Sequence, residues 1–214
     1  MSTIAVIGVT GYVGGHITAE ALRRGHDVMG ISRTTTPDSR PGLTFMSGSI
    51  ADPALVRTVA ERSSTLVVAV HAAVDDTTSL AQLVPSLLET VGDFGTRIGF
   101  VGGAGSLLVS PDGPRLVDTP DFPPAFQATA KALIEVLEAL KSSNSSADWF
   151  YVSPAAGFGA FAPGEPTGNY RTSDNILLID AEGNSFISGA DYAVAFLDEI
   201  EKPTHHRQAF GVAY

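Results

Sequence analysis

Three glycines spaced three apart, Gly8, Gly11 and Gly14, separate an apolar run, Ile4-Ala5-Val6-Ile7, from a segment with helical spacing, Ile17-Thr18-Ala19-Glu20-Ala21-Leu22. The chemistry such a turn serves is anion binding. Glycine opens dihedrals closed to other residues and lets main-chain N–H groups approach a pyrophosphate, which then rests on the positive end of the following helix. A second strand-like run, Asp27-Val28-Met29-Gly30-Ile31, completes the strand, helix, strand unit of a dinucleotide site. The pattern is offset at its second glycine from the commoner G-x-G-x-x-G, so the flanking elements carry the assignment as much as the spacing does. Gly8, Thr10, Gly11, Tyr12, Val13 and Gly14 are the expected phosphate-binding turn.

The ends of the later strands supply the other candidates. After the second strand a dinucleotide fold usually carries a carboxylate for the adenosine ribose, but here Ile31 is followed by Ser32, Arg33 and Thr34. Arginine pairs with a ribose 2′-phosphate through charge-assisted hydrogen bonds, so the expected cofactor is NADP(H) rather than NAD(H). A solvated surface arginine is the competing reading, and Arg40 is a weaker second candidate. The third strand runs into Gly48-Ser49-Ile50-Ala51-Asp52-Pro53, where Asp52 and Pro53 read as the cap and first residue of a helix and Ser49 and Ile50 as adenine contacts. The fourth strand ends Val70-His71-Ala72-Ala73 and the fifth Val101-Gly102-Gly103-Ala104-Gly105-Ser106, and both ends should face the ligand crevice. His71 reads equally as a contact to the nicotinamide ribose and as a satisfied loop histidine. Histidines 16, 26, 205 and 206 lack ligand spacing with carboxylates, so no metal site is expected.

Those residues need a frame, and 214 residues suffice for one α/β domain that buries roughly 70% of its unfolded surface. Buried-strand runs recur at 3–8, 28–32, 43–46, 66–70, 98–102 and 149–153, with helical patterns between most of them. That alternation means a parallel sheet covered on both faces. Phe126, Ala130, Leu133, Ile134, Leu137 and Leu140 form one apolar helical stripe, ended by the polar tract Ser142-Ser143-Asn144-Ser145-Ser146. The last third is rich in proline and glycine, with a strand expected at Asn175–Asp180, a helix near Asp191–Glu201 opened by Ser188-x-x-Asp191, and a strand at Gln208–Ala213.

Composition narrows the function classes. Cysteine is absent, which excludes disulfides, thiolate catalysis and cysteine-ligated zinc. A net charge of −10, with 13 basic residues in no stripe, disfavours nucleic acid. No stretch approaches the roughly 18 apolar residues of a membrane span, and no basic segment precedes the first apolar run, so a soluble cytoplasmic protein is expected.

Five motifs carry a family resemblance over nearly the whole chain: Gly8-x-x-Gly11-x-x-Gly14, Val101-Gly102-Gly103-Ala104-Gly105-Ser106-Leu107, Val117-Asp118-Thr119-Pro120-Asp121-Phe122-Pro123, Ser153-Pro154-Ala155-Ala156 and Ile187-Ser188-x-Ala190-Asp191-Tyr192-Ala193. On them the chain resembles the atypical short-chain dehydrogenase/reductases. Within that group it is similar to the small proteins described as NADH-flavin reductases, close to the NmrA-like and biliverdin-reductase-B-like proteins. The resemblance implies a Rossmann-type doubly wound parallel sheet in a single domain, 1–214, with a small substrate lobe at about 154–190. It also implies that Ser106 stands where the superfamily has its catalytic serine. The bland alternative for Ser106 is a turn residue after glycines.

One departure from the superfamily decides the chemistry. Typical members place Tyr-x-x-x-Lys on the helix after the fifth strand, the lysine tuning the tyrosine to exchange a proton with a substrate oxygen. Here that helix carries Phe126-Gln127-Ala128-Thr129-Ala130-Lys131, and Lys131 has no phenol to tune. Hydride transfer to a flavin needs no such relay, because solvent supplies the proton, and catalysis reduces to aligning two rings. The expected function is therefore NADPH-dependent reduction of a flavin, FMN or FAD bound as substrate, or of a similar planar acceptor such as a quinone. The alternative is a non-catalytic NADP(H)-binding redox sensor of NmrA-like type. Ser106 would act on the rings, Pro154 and Ala155 would back the nicotinamide, and Phe122, Phe126, Phe158 and Phe161 are the candidate substrate walls, although most phenylalanines are core. The expected partner is a small planar acceptor, with neither nucleic acid nor membrane, and the chain is expected as a monomer or homodimer.

Overall fold

The computed structural model describes residues 2–33 and 40–214. Its strands are β1 (Thr3–Ile7), β2 (Asp27–Ser32), β3 (Leu43–Ser47), β4 (Thr65–Val68), β5 (Arg97–Val101), β6 (Trp149–Ser153), β7 (Arg171–Ser173) and β8 (Gln208–Ala213). They form one sheet in the order β3-β2-β1-β4-β5-β6-β8-β7. Neighbours are parallel from β3 through β8, and β7 runs antiparallel along β8. The chain builds outward from β1 to β3, then returns to lay β4 on the other side of β1. Connections therefore leave the carboxyl ends of β1 and β4 in opposite directions, which opens a crevice there.

The helices are α1 (Tyr12–Arg23), α2 (Pro53–Arg62), α3 (Leu80–Phe94), α4 (Pro124–Ser142) and α5 (Gly189–Glu201). Successive strand residues enter opposite faces, and both faces are covered, which is why the strands read as unbroken apolar runs. Ala5, Ile7, Leu66 and Phe100 pack with Val56, Leu88 and Leu137 of α2, α3 and α4. Ile4, Val6, Val67 and Val152 pack with Ile17 of α1 and Tyr192 and Phe196 of α5.

Side-chain caps start three of these helices. The Asp52 carboxylate accepts from Ala54 N–H ahead of Pro53, and the Ser188 hydroxyl accepts from Asp191 N–H, both as the sequence implies. Ser79 and Gln82 form a reciprocal capping box on α3. The start of α1 has no such partner.

Two expectations need correction. Asn175–Asp180 is not a strand; the edge strand is Arg171–Ser173, paired with β8. The later segment spends its main-chain groups on the single residue Leu108, whose N–H donates to Asn175 O and whose carbonyl accepts from Leu177 N–H. Asp180 then closes a turn by accepting from the N–H groups of Glu182 and Asn184. The α4 stripe also begins later than its periodicity implies. Ala130, Leu137 and Leu140 are buried, whereas Phe126 is 48% exposed, its ring stacked on that of Phe161 rather than packed into the core.

Candidate functional site

The glycine turn divides into positions the fold demands and one that it does not. Gly8 has φ +93°, and a Cβ there would lie 2.2 Å from the Ala69 carbonyl oxygen. A Cβ on Gly14 would lie 2.1 Å from the Gly8 carbonyl, so this glycine lets α1 close on β1. Gly11 differs, because its φ of −78° suits any residue and a Cβ would meet the Gly8 oxygen at 3.3 Å, a contact that small adjustment relieves. Gly11 is also the N-cap of α1, with no side chain bonded to the first-turn N–H groups. Those donors and the helix dipole are left for an anion, which a side chain at Gly11 would obstruct.

A cavity of about 560 Å³ extends from this turn along the carboxyl ends of the strands. One side is formed by the turn itself, with Gly8, Thr10, Gly11, Tyr12 and Val13. Ser32 and Arg33 after β2, with Gly48, Ser49 and Ile50 after β3, line a second part. The remainder is walled by Ala69–Val74 after β4, by Val101 and Gly102 at the end of β5, and by Thr129 and Leu133 on α4. Arg33 Nη1 donates to the Val74 carbonyl at 3.3 Å, joining two of these parts. Among the described residues no Asp or Glu lines the cavity, although the chain carries −10 overall. The wall thus spares an anionic ligand local repulsion, while Arg33 offers it a cation.

The structure gathers Gly8, Thr10, Gly11, Tyr12, Val13, Ser32, Arg33, Ser49, Ile50, His71 and Ala72 around one cavity. Gly14 lies behind it. Gly103, Ser106, Pro154 and Ala155 are not among its wall residues; Ala155 is buried in the core with α5. The Ser106 hydroxyl donates to Gly103 O at 3.1 Å and lies 3.2 Å from the buried Ser153 hydroxyl. The wall residues that the sequence reading missed include Gly48, Ala69, Val70, Val74, Gly102, Thr129 and Leu133. Most sit at strand ends already assigned to the crevice. Thr129 and Leu133 are four apart on α4, the spacing that puts two helical residues on one face.

The four candidate phenylalanines separate into one pair and two lone rings. Phe126 and Phe161 stack with centroids 5.5 Å apart and planes at 22°. Phe158 instead packs inward, 4.7 Å from the Tyr192 ring and 6.0 Å from that of Tyr12. Phe122 is half-buried in the connection to α4.

Tyrosine hydroxyls elsewhere are engaged. Tyr151 donates to Leu133 O at 3.1 Å and Tyr192 to Val152 O at 2.8 Å, and burial pushes both phenols up. Tyr170 donates to Asp198 and Tyr214 to Asp191, each at 2.6 Å. Tyr12, on the cavity wall, has a buried hydroxyl without a hydrogen-bond partner, and its ring meets that of His16 edge-on at 4.8 Å. Burial lowers the His16 pKa. Among the described residues no His, Asp or Glu cluster could hold a metal ion. The motif at 187–193 proves architectural: the Asp191 carboxylate, held below its ordinary range, accepts from Thr167 and Gly168 N–H and pins that loop to α5.

A mostly parallel sheet with an uncapped glycine turn at its reversal defines a Rossmann-type nucleotide-binding protein. Residues 4–83 match the NAD dependent epimerase/dehydratase family. The chain is 34% identical over 211 residues to the uncharacterized protein YwnB of Bacillus subtilis (strain 168), covering 98% of this chain and 97% of YwnB. A Streptococcus pneumoniae TIGR4 protein described as "a putative NADH-flavin reductase" shares 32% identity at TM-score 0.84, over 100% of this chain and 99% of that one. The "putative epimerase" of Bacteroides thetaiotaomicron shares 32% identity at TM-score 0.87, over 99% and 96%. The chain belongs to the atypical short-chain dehydrogenase/reductases.

Proposed function

We propose that the protein is an NADPH-dependent reductase of a flavin or similar planar acceptor, such as a quinone, with FMN or FAD arriving as substrate. The observation that carries this reading is the α4 side of the cavity, where Thr129 and Leu133 present neither a phenol nor an amine. A bound nicotinamide supplies hydride; the chain's residues bind and align. First-turn N–H groups of α1 take the pyrophosphate, Arg33 the 2′-phosphate, Ser49 and Ile50 the adenine edge, and His71 and Ala72 the ribose next to the nicotinamide. Pro154 and Ala155 back the ring from behind the wall, and residues 154–190 serve as the acceptor lobe.

The relatives' descriptions divide between flavin reduction and epimerisation. Epimerisation by the usual route needs an acid/base group at the reacting carbon; the hydroxyls of Tyr151 and Tyr192 are buried and bonded to main-chain carbonyls, and Tyr12, the tyrosine on the cavity wall, belongs to the glycine turn and keeps its hydroxyl buried. That favours reduction. Among the described residues no helix is long and apolar enough to cross a membrane, and we place the activity in the cytoplasm, in a monomer or homodimer.

NADPH loss followed with and without FMN tests the reading. FMN-dependent oxidation, with a primary isotope effect for NADPH deuterated at the transferred position under single-turnover conditions, is expected. Tight NADPH binding without turnover of FMN or a quinone would make the protein a non-catalytic NADP(H) sensor instead.

A further inference from the structure

We propose that Phe161 is a self-occluding lid: it occupies the face of Phe126 on which a planar aromatic acceptor stacks, and it swings away when the acceptor binds. The inference rests on the reductase reading above and names the residues of its acceptor subsite. Phe126 precedes Thr129 by three residues on the same helical face, so it stands about 4.5 Å further along α4 from the cavity wall. The stack therefore lies about one helical turn from the Thr129 part of the wall, outside the cavity's own lining.

Both rings are out of the core. Phe126 is 48% and Phe161 67% exposed, yet they lie face to face at 5.5 Å, each covering apolar surface that the other would leave to water. Rings in direct contact leave no room for a third between them, so an acceptor reaches Phe126 by displacing Phe161. The chain around Phe161 is a short turn held at both ends, so the ring can swing without releasing the rest of the segment. On one side Ala156 and Gly157 N–H groups are tied to Ser185, at 3.1 and 2.8 Å. On the other, Thr167 and Gly168 N–H groups are tied to Asp191, at 2.7 and 3.0 Å. Between these anchors the Tyr214 hydroxyl also donates to Glu165 O at 3.2 Å, so the part left to move is the short turn that carries Phe161, where Ala162 N–H donates to Gly159 O at 2.9 Å, a bond internal to the turn. Gly159 at φ +145° and Gly164 at φ +59° flank this turn with backbone that other residues rarely adopt.

Displacement makes a prediction of opposite sign for the two rings. FMN binding to the protein saturated with NADP+ is read by quenching of FMN fluorescence, which needs no turnover. Phe126→Ala should weaken FMN binding about tenfold, the loss of one aromatic stacking partner, while Phe126→Trp retains it. Phe161→Ala should tighten FMN binding about threefold to tenfold, because no ring has to be displaced. NADPH affinity should be unchanged in all three, and circular dichroism should show each folded.

Weaker FMN binding in Phe161→Ala, unchanged binding in a folded Phe126→Ala, or no FMN binding in wild type and in Phe161→Ala alike would overturn the lid. Opposite shifts without NADPH oxidation would keep the lid and remove the reductase reading. FMN turnover with both affinities unchanged would do the reverse.

Discussion

The two ends of the sheet treat their polar groups in opposite ways. At the amino ends of the strands the Arg97 guanidinium is fully engaged, although the buried Trp149 Nε1 beside it is unpartnered. Arg97 Nε donates to Asp148 at 2.9 Å, Nη1 to Glu199 O at 2.7 Å, and Nη2 to the Glu199 carboxylate at 2.6 Å, with the guanidinium 4.3 Å over the Phe150 ring. The Glu199 side chain, 3% exposed, also accepts from Thr204 and bonds His205. At the carboxyl ends, the first turn of α1 has no side-chain cap, His71 is exposed on the cavity wall, and Arg33 makes a long 3.3 Å bond to a carbonyl. A densely bonded cluster fixes helices to strands, whereas donors left without strong partners are available to a ligand.

The strongest way to break this contrast is Gly11→Val. If the carboxyl end is kept open for a pyrophosphate, this variant should fold and lose measurable NADPH binding by isothermal titration. Gly14→Val should instead fail to fold, because its Cβ falls 2.1 Å from the Gly8 carbonyl. Unchanged NADPH affinity in a folded Gly11→Val protein would move the phosphate site elsewhere.

The amino end makes the converse prediction. Glu199→Ala removes the buried carboxylate on Arg97 Nη2 and leaves only the more exposed Asp148 carboxylate as its partner, so urea unfolding should show a loss of up to about 3 kcal/mol, with NADPH affinity of the folded protein unaltered. Its acid dependence follows from the Glu199 carboxyl, which burial raises but hydrogen bonds from His205, Arg97 and Thr204 bring down from 4.5 to about 2. The folded value lies below the unfolded one. The contribution is therefore complete above about 4.5 and drains away as pH falls toward 2. Glu199→Ala should flatten the stability curve over that window, and a variant as acid-sensitive as wild type would show that another carboxylate governs it.

Arg33→Ala sharpens the comparison from the ligand side. It should weaken NADPH binding by about 1.5–3 kcal/mol, the range for hydrogen bonds to charged groups, and leave NADH binding little changed. Equal losses for the two cofactors, or a wild-type preference for NADH, would return Arg33 to the solvated surface.

Sequence pattern revealed the carboxyl end better than the amino end for a physical reason. A phosphate turn and its strand-helix frame lie within one short segment, so Gly8, Gly11 and Gly14 are legible locally. The Arg97, Asp148, Glu199 and His205 cluster joins residues separated by as much as 108 positions, and no spacing announces it. Thr129 and Leu133 carry no local mark of a cavity wall, because only the pitch and placement of α4 decide which of its residues reach the cavity. The strand expected at Asn175–Asp180 shows the remaining limit: apolar residues signal burial, but the available pairing partner decides whether a strand forms.

Ser106 is the place where the two ends meet in kind, since it lies beyond β5 at the carboxyl end yet is bonded inward. Its hydroxyl donates to the Gly103 carbonyl and lies within hydrogen-bond distance of Ser153, so it bridges the glycine-rich loop to β6. If catalysis is alignment followed by direct hydride transfer, that bridge steadies the loop and carries no proton. Ser106→Ala should then slow FMN-dependent NADPH oxidation by a neutral hydrogen bond's worth, about 0.5–1.5 kcal/mol or at most about tenfold, through kcat. The pH profile should keep its wild-type shape. Complete loss of turnover in a folded Ser106→Ala protein that still binds NADPH would make the hydroxyl an essential catalytic group, and alignment alone would no longer account for the reaction.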